Sequence, residues 1–398
     1  MAYYFLTPEK DATVYSHPNR IQMNTGHDEI LEIVKERGTS DSIFYPSRIF
    51  VKFNDDEIKS AIEDAVGNDT FRSTDESTGA FNSCSISLQL SSTEHKTLPS
   101  IINLEVYAIS ESWDEGTGRF SNLPTSSNGC SWVYRDNTLE ATKWTTASFS
   151  AGSSGSISSS NGNLIEQGGG TWYTGSSFSA EQQFINAQIL DTDFNVTKTM
   201  HKFSSSYAGA VAEDSFAGIS NNGFVVKLPS SIEDNVSSSF GELQYFSADT
   251  HTIYPPKLAF KWIDYQEYSL QSSFEKTGEL SVTLYNNKEE YNQNEVALFK
   301  VKVREKYPTR TFTTTSNYLS RGYFSTSSLY SVRDAHTEEV VIPFDETFTR
   351  LSSDSNGMHF KIYMNGLQPE RYYRVLFKNI NADGTTVYDN NYNFKVIR

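Results

Sequence analysis

Most protein chemistry runs through histidine, cysteine and carboxylate side chains, and in this chain their spacing is unproductive. The seven histidines are His17, His27, His95, His201, His251, His336 and His359. None falls in an HExxH or HxH pattern, so no metal-ligand set is written in the chain. No GxSxG occurs, so a hydrolase nucleophile elbow has no support. Gly168-Gly-Gly-Thr lacks the lysine of a phosphate-binding loop. Asp114 and Glu115 set two carboxylates side by side. Adjacent residues of an extended strand point to opposite faces, so this pair cannot flank one glycosidic bond. A turn is the expected role. Asp191-Thr-Asp-Phe-Asn opens like a calcium loop, but Val196 stands where the glycine belongs and Lys202 where the closing glutamate belongs. A structural calcium near Asp28 and Glu29 stays open beside the plainer reading of exposed strand-start acids. No other cofactor is implied, and the expectation is a protein that is not an enzyme.

Aromatic side chains are the remaining candidates. Trp132, Trp144, Trp172 and Tyr173 lie in or beside long loops. Aromatic faces stack on sugars and anchor interfaces, so these four are the candidate glycan or partner contacts. The competing reading has them covering the rim of a sandwich.

The elements that must position these residues are strands. Apolar residues are only 37% of the 398, aromatics are 14%, and Ser, Thr, Asn and Gly fill the rest. That composition suits strands joined by many turns. Strand patterns occur at 11–15, 28–35, 47–53, 84–91, 102–110, near 184–202, at 223–228 and at 242–263. One helix is expected after Asn54, where Ile58, Ile62 and Ala65 form a stripe behind an acidic first turn; Gly67 ends it. Residues 145–170 are rich in Ser and Gly and read as a flexible surface loop. After residue 264 lysine and glutamate become denser. Strands are expected at 278–285, 295–304, 337–343, 357–363, 371–379 and 386–396. The reading is therefore all-β with two domains, 1–264 and 275–398.

The formal net charge of −16 disfavours nucleic acid and anionic membrane surfaces as partners. Cys84 and Cys130 sit in no CxxC pair, and two isolated thiols are preferred over one disulfide. The N-terminal residues lack the basic and apolar regions of a signal peptide, and no apolar run reaches the roughly 20 residues that span a bilayer.

Several segments stand in a familiar order: Asp11-Ala-Thr-Val-Tyr, Asn24-Thr-Gly, Ile30-Leu-Glu-Ile, Arg48-Ile-Phe-Val-Lys-Phe, Leu104-Glu-Val-Tyr-Ala and Trp113-Asp-Glu-Gly-Thr-Gly-Arg. Phe194-Asn-Val-Thr, Asn222-Gly-Phe-Val-Val-Lys, Phe246-Ser-Ala-Asp and Pro255-Pro-Lys-Leu-Ala-Phe follow. Over roughly residues 10–263 this resembles the DNRLRE type of jelly-roll domain, a relative of carbohydrate-binding modules. Further on, Leu367, Pro369 and Tyr373 resemble the tyrosine corner of immunoglobulin-like and fibronectin type III-like sandwiches, in which the hydroxyl bonds back to the backbone. The resemblance thus implies a jelly-roll β-sandwich followed by a smaller immunoglobulin-like β-sandwich. An acidic tandem of this kind resembles virion structural proteins of tailed bacteriophages, in the neck, tail or baseplate. The expected partners are other virion proteins and copies of the chain in a symmetric assembly, within a virion built in the host cytoplasm. The alternative is an adhesion module that recognises a cell-surface glycan.

Overall fold

A computed structural model describes residues 2–39, 42–72, 83–121, 128–138, 140–145, 156–159, 168–204, 218–268, 280–307, 322–381 and 384–398. Strands make up 48% and helices 10%, so the protein is all-β. The chain divides into two compact units, one of residues 6–259 and one of residues 1–5 with 260–398. The break falls a few residues before the stretch expected from composition. Residues 3–5 join the second unit through aromatic contacts, such as Tyr4 against Tyr363 at 5.8 Å.

In chain order the first strands are β1 (Ala2–Leu6), β2 (Lys10–Tyr15), β3 (Ile30–Arg37) and β4 (Phe44–Lys52). Helix α1 (Asp55–Ser60) follows, capped by Asn54, whose side chain accepts from the Asp56 and Glu57 amides. A π-helical turn, Ala61–Val66, prolongs it to Gly67, and α2 (Asn68–Arg72) comes next. Then come β5 (Cys84–Leu90), β6 (Ser92–Lys96), β7 (Ile101–Ala108), β8 (Tyr134–Asp136) and β9 (Thr142–Lys143). β10 (Ser156–Ser159) pairs with β11 (Thr171–Thr174). Most of the Ser/Gly stretch 145–170 lies outside the described residues, but these two strands fall within or against it. β12 (Ser179–Ile185) and β13 (Thr192–Asn195) precede a helix, α3 (Thr197–Ser204), where sequence alternation suggested strand. Asn195 explains the switch: its Oδ1 accepts from the Thr197 amide and hydroxyl and starts the helix. β14 (Phe224–Lys227), the short α4 (Ser230–Glu233), β15 (Glu242–Phe246) and β16 (Lys257–Trp262) complete the run.

The large sheet of the first unit runs in the order β12-β7-β14-β4-β3-β15-β6, and β2 also pairs with β4. Its pairings are antiparallel. Side chains alternate between faces, so register sorts them into rows. On one face Val51, Phe224 and Ala108 align, as do Ile49, Val226 and Val106, all buried. On the opposite face Phe50, Val225 and Tyr107 align. One step on, Lys227 faces Glu105 of β7, with Arg48 of β4 on its other side. Strand alternation therefore delivers charge to a face that the neighbouring loops cover.

The second unit continues with β17 (Leu280–Tyr285), β18 (Glu290–Asn292), β19 (Val296–Glu305), β20 (Leu329–Asp334), β21 (Val340–Ile342), β22 (Ser352–Asp354), β23 (Gly357–Tyr363), β24 (Arg371–Asn381) and β25 (Gly384–Ile397). They form two sheets, β17-β19-β23-β22 and β18-β25-β24-β20-β21. Rings from one sheet meet rings from the other: Phe360 of β23 stacks on Tyr330 of β20 at 4.4 Å, and Phe299 of β19 lies 5.6 Å from Phe394 of β25. That is a sandwich held by an aromatic spine.

Candidate functional site

Arg48 leaves β4 on the covered face of the large sheet. Arg48, Lys227 and Glu233 are each at most 2% exposed. Removing charges from water is costly, so every such group must be paired. They are. The guanidinium meets Glu233 through two contacts, Nε to Oε1 at 3.1 Å and Nη2 to Oε2 at 2.8 Å. Its Nη1 donates to the carbonyls of Gly168 and Gly169 at 3.2 and 2.7 Å. It also lies over the rings of Trp132 and Trp172, 4.5 and 4.8 Å from their centroids. Lys227 Nζ reaches Glu233 at 3.2 Å and Glu105 at 3.8 Å, and donates to the Leu228 carbonyl. The Tyr107 hydroxyl donates to Glu105 at 3.0 Å. Burial pushes the Glu233 carboxyl up, but Arg48 and Lys227 outweigh it and hold it below its ordinary value. Glu233 closes α4, and Lys35 of β3 donates to the Ile232 and Asn235 carbonyls around the same turn. Three neighbouring strands thus pin one short helix.

The loops that cover this face form a second core. Ala12, Val14, Tyr45, Phe50, Val225, Ile109, Trp113, Cys130, Trp132, Trp144 and Trp172 are buried together. The candidate contact residues Trp132, Trp144 and Trp172 are at most 5% exposed, which corrects the expectation of a glycan-facing or partner-facing surface. The physical reason is that their rings are committed inward. Two lie against Arg48; Trp144 packs on Phe50 at 5.4 Å and donates to the Ser131 carbonyl at 3.0 Å. Tyr173 is half-buried and stacks on Phe178 at 5.2 Å. The triple glycine closes the lid. A Cβ on Gly169 would lie 2.7 Å from Arg48 Nη1 and from the Trp132 ring, with φ at +69°. Only glycine fits.

A second constellation joins two of the turn motifs. The Asn24 amide donates to the carbonyls of Glu115 and Cys130, and its Oδ1 accepts from the amides of Gly118 and Gly26. Asn24-Thr-Gly and Asp114-Glu-Gly-Thr-Gly are therefore two halves of one knot. Glu115 accepts from the Asp11 amide of β2 at 2.9 Å, and Asp114 accepts from the Thr138 hydroxyl, so both carboxylates are used in hydrogen bonds that hold this loop. Burial pushes the Asp11 carboxyl well up. Asp28 accepts from the Phe120 amide at 3.0 Å and Glu29 is exposed. Among the described residues no three His, Cys, Asp or Glu side chains group to hold a metal ion. No described helix is long and apolar enough to cross a membrane. Cys84 and Cys130 are both free and buried.

In the second unit the Tyr373 hydroxyl donates to the Gln368 carbonyl at 3.0 Å, five residues upstream. Leu367 is buried beside it and Pro369 is half-buried at the bend. Asp334 holds the turn after β20: it accepts from the amides of His336 and Thr337 and from Arg371 Nε at 2.7 Å. Burial pushes its carboxyl up, yet the Arg371 bond and the two amides bring it down to about 2.

The arrangement has a definite chemical meaning. Glu233 and Glu105 share one ammonium, but Glu233 has both oxygens on Arg48 and its proton is held off. It cannot donate a proton at neutral pH as a glycosidic acid must. Sequence reasoning singled out the tryptophans and passed over Arg48, Lys227 and Glu233. The available signal was a charged residue at an alternation position beside apolar ones in both Arg48-Ile-Phe-Val and Phe224-Val-Val-Lys. Comparison with protein-family models and with curated proteins finds no match.

Proposed function

We propose that the chain is a non-enzymatic structural protein of a tailed-bacteriophage virion, a neck, tail or baseplate component that works by protein–protein assembly. In this reading the first unit is a DNRLRE-like jelly roll and the second an immunoglobulin-like or fibronectin type III-like sandwich. The observation that carries it is the commitment of the chemistry-bearing side chains to packing. Arg48, Lys227, Glu233 and the covering tryptophans have partners within the first unit, which leaves strand edges and outer faces to act on other molecules. The Tyr373 bond to Gln368 supports the immunoglobulin-like assignment. The glycan-binding alternative draws no support from Trp132, Trp144 or Trp172, whose burial leaves no face free for a sugar.

The test is mass spectrometry of purified particles from the phage that encodes the chain. The expected result is the chain in a copy number that is a multiple of the local symmetry. Particles complete in their other proteins and free of this one would refute the proposal.

A further inference from the structure

The two ends of the large sheet are built differently. β6 ends it on one side and carries Glu94, His95 and Lys96, all exposed. Charges of that kind blunt an edge against strand addition. β12 ends it on the other side with Ser-Ala-Glu-Gln-Gln-Phe-Ile, which holds one charge. Among the described strands β12 pairs only with β7.

The ladder fixes which groups are free. Ala108 N donates to the Phe178 carbonyl and Asn186 N donates to the Ser100 carbonyl. Antiparallel pairs alternate, so the even-numbered residues from 178 to 186 bond inward to β7. The backbone N–H and C=O groups of Ser179, Glu181 and Gln183 and the N–H of Ile185 therefore point away from the sheet, while the Ile185 carbonyl accepts from the Gln188 amide. The side chains of these same residues share the face of their β7 partners Tyr107, Glu105, Asn103 and Ile101. At one end Ile185 and Ile101 form a directly opposed pair, 50% and 58% exposed, and Ile189 beyond them is 80% exposed. Next to it Gln183 bonds Asn103 at 3.0 Å. Then Glu181 stands directly opposite Glu105, whose carboxylate Lys227 and the Tyr107 hydroxyl already hold.

We infer that β12 is a docking edge that takes an antiparallel strand from a different, basic protein partner, with a Lys or Arg opposite Glu181 and an apolar residue opposite Ile185. Charge complementarity decides the occupant. A second copy of the chain would bring another net charge of −16 and a strand with no basic residue to meet Glu181. A basic strand brings a cation to Glu181, covers the exposed isoleucines and satisfies the outward backbone groups. The inference deepens the assembly reading, but its test does not depend on a virion.

The probe is a labelled peptide, acetyl-Thr-Ile-Thr-Gln-Thr-Lys-Thr-amide, titrated into the full chain by fluorescence anisotropy, with hydrogen exchange read at β12. The expected result is saturable binding below about 1 mM with slowed exchange at Glu181, Gln183 and Ile185. Gln183→Pro removes one outward N–H and no ladder bond, so it leaves the fold and weakens binding at least about tenfold. Should that variant fail to fold, Glu181→Lys gives the same loss through charge. A peptide with Glu for Lys binds at least about tenfold more weakly too. Absence of saturable binding, binding unchanged by a folded variant, or protection elsewhere than β12 overturns the inference. Self-association of the chain that Gln183→Pro abolishes does so as well, in favour of a second copy.

Discussion

The Arg48–Glu233 pair and the Tyr373–Gln368 bond each fix a corner of a β unit, one in each half of the molecule. They do so at opposite extremes of sequence distance and charge. The tyrosine reaches five residues back and satisfies one carbonyl with a neutral hydroxyl. The arginine reaches 185 residues forward and balances an ion pair in a site closed to water. A local neutral bond adds a modest increment and little is lost when it goes. A buried ion pair adds little over an apolar packing, yet removing one member leaves the other stranded. The first unit should therefore be the more brittle at its corner, although its core is larger.

The largest test of that contrast is Glu233→Gln. It leaves Arg48 and Lys227 buried with a lost counter-charge and should cost about 3–5 kcal/mol. Urea denaturation followed by tryptophan fluorescence measures it well, because Trp113, Trp132, Trp144 and Trp172 all lie in the first unit. Gly169→Ala comes next. Its methyl group meets Arg48 and the Trp132 ring and takes a left-handed conformation, so a loss of about 1–3 kcal/mol is expected in the same assay. A wild-type midpoint for this variant would show that the lid is loose. Tyr373→Phe removes one bond at the corner of the second unit and should cost about 1 kcal/mol. Near-ultraviolet circular dichroism of the second unit's tyrosines follows it. A larger loss than that of Glu233→Gln would reverse the comparison.

A further difference between the units lies in acid. Burial, then the neighbouring Lys202 charge, brings His201 of α3 down from 6.5 to about 4, so the folded first unit resists its protonation. The unfolded chain takes up that proton first, so stability falls as pH drops from about 6.5 towards 4. Asp334 is a carboxylate held down, so its contribution is present above 3.8 and is lost as pH falls through about 2. Acid should thus soften the first unit at milder pH than it reaches this turn of the second. His201→Gln should flatten the upper part of the first unit's pH dependence, read as urea midpoints between pH 7 and pH 4. A slope that survives the substitution assigns the effect to another group.

The fold was legible wherever the signal is local. Alternation at Ile49, Val51 and Phe53 marks β4, and Asn54 with Gly67 brackets the one long helical stretch. The glycines at 116 and 118 were readable as a turn. Their purpose was not, because Asn24 sits about ninety residues away and only the folded chain brings it there. The charge cluster was hidden for the same reason. Nothing near Arg48 in sequence announces Glu233, and a glutamate closing a four-residue helix looks like any surface acid. The tryptophans were misjudged because loops rich in Ser and Gly usually lie open to water. Here Trp132, Trp144 and Trp172 lie in a second core, where two of the indoles face the buried Arg48 and the third packs on Phe50. β20 was also missed, since Leu329–Asp334 alternates too briefly to stand out beside its neighbours.

Burial raises the thiol of Cys84 to about 12 and that of Cys130 higher still. One sits in β5, the other in the tryptophan cluster, and neither has a disulfide partner. A thiol in that state does not react until the structure around it opens, because only the thiolate attacks. The two side chains are therefore a pair of built-in clocks. The rate at which each takes up an alkylating reagent counts the openings of its own neighbourhood, one in the tryptophan cluster and one at β5, in a protein that needs no added label to be timed.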